Sequence, residues 1–94
     1  MPKRRLHRRF PAGHQLATPN ALNTIPQLDI VNALIRHFQC DWGDADDEDW
    51  ESNNRALDEG TRLFSVYHSS TGVKFWIITE ADRSATTVLL PADY

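Results

Sequence analysis

The chain is poor in most of the residues from which recognisable chemistry is built. It has one cysteine, Cys40, so no disulfide closes within it, and a lone thiol suits a reducing cytoplasm, the expected location. Its four glycines, Gly13, Gly43, Gly60 and Gly72, stand apart at breaks in the pattern and never cluster. That spacing excludes a glycine-rich phosphate loop. No apolar run approaches the ~20 residues that cross a bilayer, so no membrane association is expected. Met1-Pro2-Lys3-Arg4-Arg5 supplies positive charge, but the apolar stretch that a secretory leader needs does not follow it. There is no internal repeat and no low-complexity tract.

What is present is ordinary in amount and unusual in placement. Of 94 residues, 40% are apolar and 24% charged, a composition typical of globular proteins. A chain of this size makes one modest core, so a single domain is expected over residues 10–94. The net charge of −3 conceals a strong polarity. Lys3, Arg4, Arg5, Arg8 and Arg9 are half of the ten lysines and arginines, and His7 lies among them. Residues 1–9 show no apolar period and read as a flexible basic arm. Between Asp41 and Glu59 stand nine acids (Asp41, Asp44, Asp46, Asp47, Glu48, Asp49, Glu51, Asp58, Glu59) against the single base Arg55.

The C-terminal third carries the clearest secondary-structure signal. Short apolar strands are separated by Ser69-Ser70-Thr71-Gly72 and by Glu80-Ala81-Asp82-Arg83-Ser84, which predicts a three-stranded meander. Upstream, Leu16-Ala17 would make a short edge strand, constrained by Pro11 and Gly13. Thr18-Pro19 opens a short helix over Pro19–Asn23. Pro26 opens a second, with Asp29 in its first turn. Leu28, Val31, Ile35 and Phe38, widened by Ile30 and Leu34, form its expected core stripe, and it ends near Phe38 to Cys40. A third helix is expected from about Asp46 to Glu59, capped by Asp46 or Asp47 and stopped by Gly60, with Glu51 and Arg55 paired at i,i+4. Together these predict an α+β fold, with a three- to four-stranded antiparallel sheet and two or three N-terminal helices packed on one face. Neither face of the meander is cleanly polar, so its second face needs covering by the N-terminal segment, a second copy in a homodimer, or a partner.

Asp41-Trp42-Gly43, Asn53-Asn54, the run from Trp76 to Ser84, Thr86-Thr87, Leu89-Leu90-Pro91 and Tyr94 resemble a family of small bacterial proteins labelled plasmid-related, found on plasmids and integrated mobile elements. The resemblance spans about residues 14–94 and leaves out the basic arm. It implies a mobile-element setting, where small acidic proteins that block host defences are a common class. The family has no assigned chemistry, so it transfers no site residue.

Catalytic and metal chemistry find little footing. His37-x-x-Cys40 with Asp41 offers three ligands at a helix end, but a structural zinc site takes four, usually with more than one cysteine. The plainer reading is a helix-terminal histidine beside a small thiol, with no metal and no cofactor. The acidic run fails as a calcium loop: counted from Asp44, the sixth place is Asp49 where glycine is needed, and the twelfth is Arg55 where an acid is needed. His68-Ser69-Ser70 lies in a hairpin turn, where serines serve turn geometry. At the second turn Asp82 should make an Asx turn, Arg83 should pair with Glu80 or Asp82, and Ser84 should satisfy a backbone group. Phe75 and Trp76 read as core. No catalytic residue is expected.

Charge placement is the remaining functional signal. On the third helix Asp47, Glu48, Glu51 and Asp58, with Asp44 just before it, would line one side, carboxylates recurring at about 6 Å along the axis. That interval is close to the one between phosphates on a nucleic-acid strand, so the row suits a groove built for DNA or RNA, or another basic protein or nucleoprotein complex. The expected function is therefore a non-enzymatic interaction protein working through the acidic 41–59 surface. The alternative is a nucleic-acid-binding accessory protein using Lys3, Arg4, Arg5, Arg8 and Arg9 on phosphates.

Overall fold

The computed structural model describes residues 9–94. Their order is β1 (His14–Ala17), α1 (Pro19–Thr24), α2 (Gln27–Phe38), α3 (Asp47–Glu59), β2 (Leu63–His68), β3 (Lys74–Thr79), β4 (Ala85–Leu89) and a closing 3-10 turn, Pro91–Asp93. The fold is α+β, with the four strands ordered β1-β4-β3-β2. As the turn residues require, β2, β3 and β4 form an antiparallel meander. β1 joins the sheet edge parallel to β4, which makes the sheet mixed rather than wholly antiparallel. The N-terminal segment sets that direction. Gly13, at φ +62°, lies so close to the Ser84 backbone that a Cβ would collide with it. The strand then runs beside β4 until the Thr18 amide donates to the Val88 carbonyl at 3.0 Å.

Local chemistry explains the helix ends. The Thr18 hydroxyl accepts the Ala21 amide at 3.1 Å and Pro19 occupies the first turn of α1. Asp29 does more than face the dipole of α2. Its Oδ2 accepts the Ser70 amide at 2.9 Å and the Ser70 hydroxyl at 2.7 Å, which pins the β2–β3 hairpin to the helix.

Strand alternation directs Leu63, Ser65, Tyr67, Phe75, Ile77, Thr79, Thr86 and Val88 to the inner face, where all are buried. There Ala21, Ile25, Ile30 and Ala33 pack against Tyr67, Phe75, Ile77 and Val88. A second cluster gathers Phe10, Phe38, Trp42, Ala56 and Leu63 toward α3. The core side of α2 differs from the expected stripe. Ile30, Ala33, His37 and Phe38 are the buried positions, whereas Leu28 is 69% and Val31 44% exposed. The small Ala33 lets the helix approach the sheet closely, and His37 finds polar partners beneath it, so an alanine and a histidine displace two larger apolar residues.

Those partners form a continuous buried chain. His37 Nδ1 lies 2.6 Å from Ser65 Oγ on β2, and its Nε2 lies 2.9 Å from Thr79 Oγ1 on β3. Thr79 Oγ1 is 2.8 Å from Thr86 Oγ1 on β4, which donates to the Ala12 carbonyl at 2.8 Å. One helix, three strands and the N-terminal segment are thus joined through side chains. The rings of Phe10, Phe38 and Trp42 surround the imidazole with centroids 5.4, 5.8 and 5.6 Å away. Replacing Thr86 by valine keeps the shape but leaves the Ala12 carbonyl without its donor and the Thr79 hydroxyl proton without its acceptor. Thr86→Val is expected to lower the unfolding free energy by about 1–3 kcal/mol in urea titration, and a loss below about 0.5 kcal/mol, the size of an ordinary surface substitution, would show that the chain adds nothing.

Candidate interaction surface

The third helix forms for the reasons its sequence declares. The Asp46 side chain accepts the Asp49 amide at 2.8 Å, Asp47, Glu48 and Asp49 sit at the positive dipole end, and Gly60 ends the helix in the left-handed region at φ +70°. Ala56 and Asn53 are buried on its inward side, and Trp50 and Leu57 are half-buried there. Asn53 anchors α3 to the sheet. Its side-chain amide donates to the Phe64 carbonyl at 2.6 Å and its carbonyl accepts the Phe64 amide at 3.0 Å. The side chain therefore stands in for a neighbouring strand along the β2 edge. Further along that edge the Val66 amide donates to Trp42 O at 3.2 Å, and Val66 O accepts the Asp44 amide at 2.7 Å.

With its inward side so held, α3 turns Asp47, Glu48, Glu51, Asp58 and Glu59 to solvent, all exposed. At ~100° per residue these five positions fall within an arc of about 120°. Arg55 shares that arc, but its guanidinium is 4.0 Å from Glu51 and both side chains are mostly solvated, so the pair neutralises little. Asp44 stands apart from the other four expected contact residues. It lies in the preceding loop with Oδ2 2.7 Å from His68 Nδ1. Asp41 is neutralised at home: Arg36 donates to both of its oxygens, at 2.8 and 3.3 Å, and this hydrogen bonding holds its carboxyl below the usual range. Asp49 is pushed the other way, by partial burial first and then by Asp46 and Glu48.

The remaining candidates resolve into structural roles. Both ring nitrogens of His37 are engaged by hydroxyls, and burial pushes its pKa down to about 3. Burial also raises the Cys40 thiol, the opposite of what an activated thiolate needs. Among the described residues no group of three or more histidine, cysteine, aspartate or glutamate side chains is placed to hold a metal. Asp82 makes its Asx turn, accepting the Ser84 amide at 2.9 Å. Arg83 does not pair with a carboxylate. Its guanidinium donates to the carbonyls of Thr61 at 2.6 Å and Ala56 at 3.0 Å, clasping the end of α3, while Glu80 lies 4.0 Å from Arg62. Of the basic arm, Lys3, Arg4, Arg5 and Arg8 lie outside the described residues. The Arg9 amide donates to the Phe38 carbonyl at 3.0 Å.

Two features escaped the sequence reading. Nothing in the sequence marks Asn53 as the anchor of α3. The sequence places Trp76 in the core beside Phe75, yet only Phe75 is core, at 1% exposure. Trp76 lies on the outer face of the sheet with Phe64 and Tyr94, in a row with centroid separations of 5.1 and 5.8 Å. Strict alternation from the buried Phe75 would have placed it there. Among the described residues no helix is long and apolar enough to cross a membrane. Compared with protein-family models, with curated proteins and with solved structures, the chain matches none.

The Asn53 bridge gives a direct test of how the acidic helix is mounted. Asn53→Ala should cost about 1–3 kcal/mol, because both Phe64 backbone groups lose their partner. It should also speed hydrogen exchange at the Phe64 amide well before that of Ile77, in the central strand. Unchanged exchange at Phe64 would mean that the bridge does not hold the edge.

Proposed function

We propose that this chain is a non-enzymatic interaction protein, of mobile-element origin, whose acidic helix engages a basic protein or nucleoprotein complex. One observation carries the reading. Five carboxylates, Asp47, Glu48, Glu51, Asp58 and Glu59, share the exposed side of a helix whose other side is fixed to the sheet, with Arg55 the one base among them. Helix capping and the dipole account for acids in the first turn only. Asp58 and Glu59 lie at the opposite end, where negative charge opposes the dipole, so their presence there favours a use outside the helix. A rigid anionic row of this kind raises the rate of encounter with a basic groove and selects against anionic competitors.

The partner class that fits is a host-defence or nucleic-acid-processing complex, whose basic groove the row would occupy in place of a phosphate backbone. The sequence resemblance to plasmid-related proteins supports that setting. Charge reversal tests it. The variant Asp47→Lys/Glu48→Lys/Glu51→Lys is expected to keep its circular dichroism spectrum and to lose its basic partner in affinity capture from the native host, with affinity falling about tenfold or more. Retention of the same partner at wild-type strength would overturn the proposal.

A further inference from the structure

We propose that the outer face of the sheet is the apolar half of this docking surface, and that it takes an arginine side chain from a basic segment of the partner protein. The inference rests on the acidic-helix reading and extends it to a second, chemically distinct contact. Two hollows of about 390 and 260 Å³ lie on this face and share Phe64 and Trp76, so they adjoin at these two rings. Asp44, Asp46, Asp49 and Lys74 border the larger end, and Arg62, Ile78 and Tyr94 the smaller end. The floor is aromatic: Phe64 and Trp76 meet at 68° and Trp76 and Tyr94 at 74°. The larger end opens at the start of α3, where Asp46 and Asp49 line it, and the acidic row begins at Asp47 and Glu48 in the same turn but on the other side of the helix.

Charge selects the occupant. At the larger end Asp44 is engaged by His68, which leaves Asp49 and the oxygen of Asp46 that does not cap α3, opposed by Lys74. The other cation, Arg62, lies at the smaller end, bonded to Tyr94. A cation entering between the aromatic floor and these two acids meets a ring face below and carboxylates at its edge. A planar guanidinium uses both at once, stacking on the ring while its N–H groups reach the oxygens. A compact, strongly hydrated ammonium cannot match that geometry. The protein already builds this arrangement within itself. Arg36 lies 5.0 Å over the Tyr67 ring while it donates to the Asp41 carboxylate, and Arg62 lies 5.2 Å over Tyr94. The Trp76 indole N–H is a buried side-chain donor with no hydrogen-bond partner among the described residues, which makes its resonance a sensitive reporter of any group settling on this face.

The test is titration of ¹⁵N-labelled protein with nona-arginine and, separately, nona-lysine peptide at low salt. The expected result is movement of the Trp76 indole resonance and of the Phe64 and Ala45 amides, with the arginine peptide bound about threefold or more tighter than the lysine peptide. Asp46→Asn/Asp49→Asn, in which asparagine still caps α3, should erase that preference while leaving the spectrum folded. Perturbations confined to the exposed side of α3, equal for both peptides, would overturn the groove and leave the acidic-helix reading standing. No response to either peptide would overturn both. Concentration-dependent shifts of Trp76 without peptide would assign the face to a second copy of the chain and likewise overturn the proposal.

Discussion

The buried imidazole of His37 holds this small domain together. An 0%-exposed histidine in a chain of this size is costly unless both nitrogens are satisfied. Here the direction of each hydrogen bond follows from the far end of the chain. Thr86 donates to a backbone carbonyl, so its oxygen must accept from Thr79. Thr79 has then spent its one proton and must accept from His37 Nε2, which leaves Nδ1 to accept from Ser65. A single neutral tautomer satisfies every member. Protonating Nδ1 would reverse the Ser65 bond and leave a charged imidazolium in a site closed by three aromatic rings. The imidazole therefore stays neutral down to about pH 3, whereas the unfolded chain takes up a proton near 6.5. The stabilisation is complete above pH 6.5 and declines as pH falls through that interval.

That chain also determines where the acidic helix sits. Anchoring α2 on β2, β3 and β4 brings Phe38 and Trp42 over the second core cluster, and Trp42 then leads the chain along the β2 edge. Gly43, at φ +68°, passes so close to the Val66 carbonyl that no side chain would fit. From there α3 has one place to lie, held by Asn53 at the edge and by Arg83 at its end. Asp41 is absorbed by Arg36 and Asp44 by His68, while Asp46 caps its own helix through one oxygen and stays exposed. What projects into solvent is the set that the protein does not use internally.

Much of this was legible in the sequence, because it rests on short-range chemistry. Thr18-Pro19, Pro26, Asp46 and Gly60 placed the helix ends, and the serine- and aspartate-rich turns placed the meander. The misreadings all concern choices made by tertiary packing. The apolar residues of α2 span two faces, and the sheet chose the one that pairs Ala33 with a close approach and His37 with two hydroxyls. Arg83 sits among acids in sequence but reaches carbonyls that arrive from α3. β1 pairs in parallel because of where Gly13 enters, a fact of topology rather than of composition. Trp76 was misassigned because aromatic runs in strands conceal their alternation. The outer face it occupies had been expected to need a cover, and its row of rings gives that cover a chemical character.

The buried chain depends on the protonation state and tautomer of one residue. The most direct measurement is the imidazole ¹⁵N spectrum of His37 in histidine-labelled protein, followed from pH 8 to pH 4. The expected result is one neutral tautomer throughout, protonated at Nε2, with no titration near 6.5. An imidazole that titrates near its ordinary value, or that is protonated at Nδ1, would contradict the hydrogen-bonded chain and with it the placement of the acidic helix.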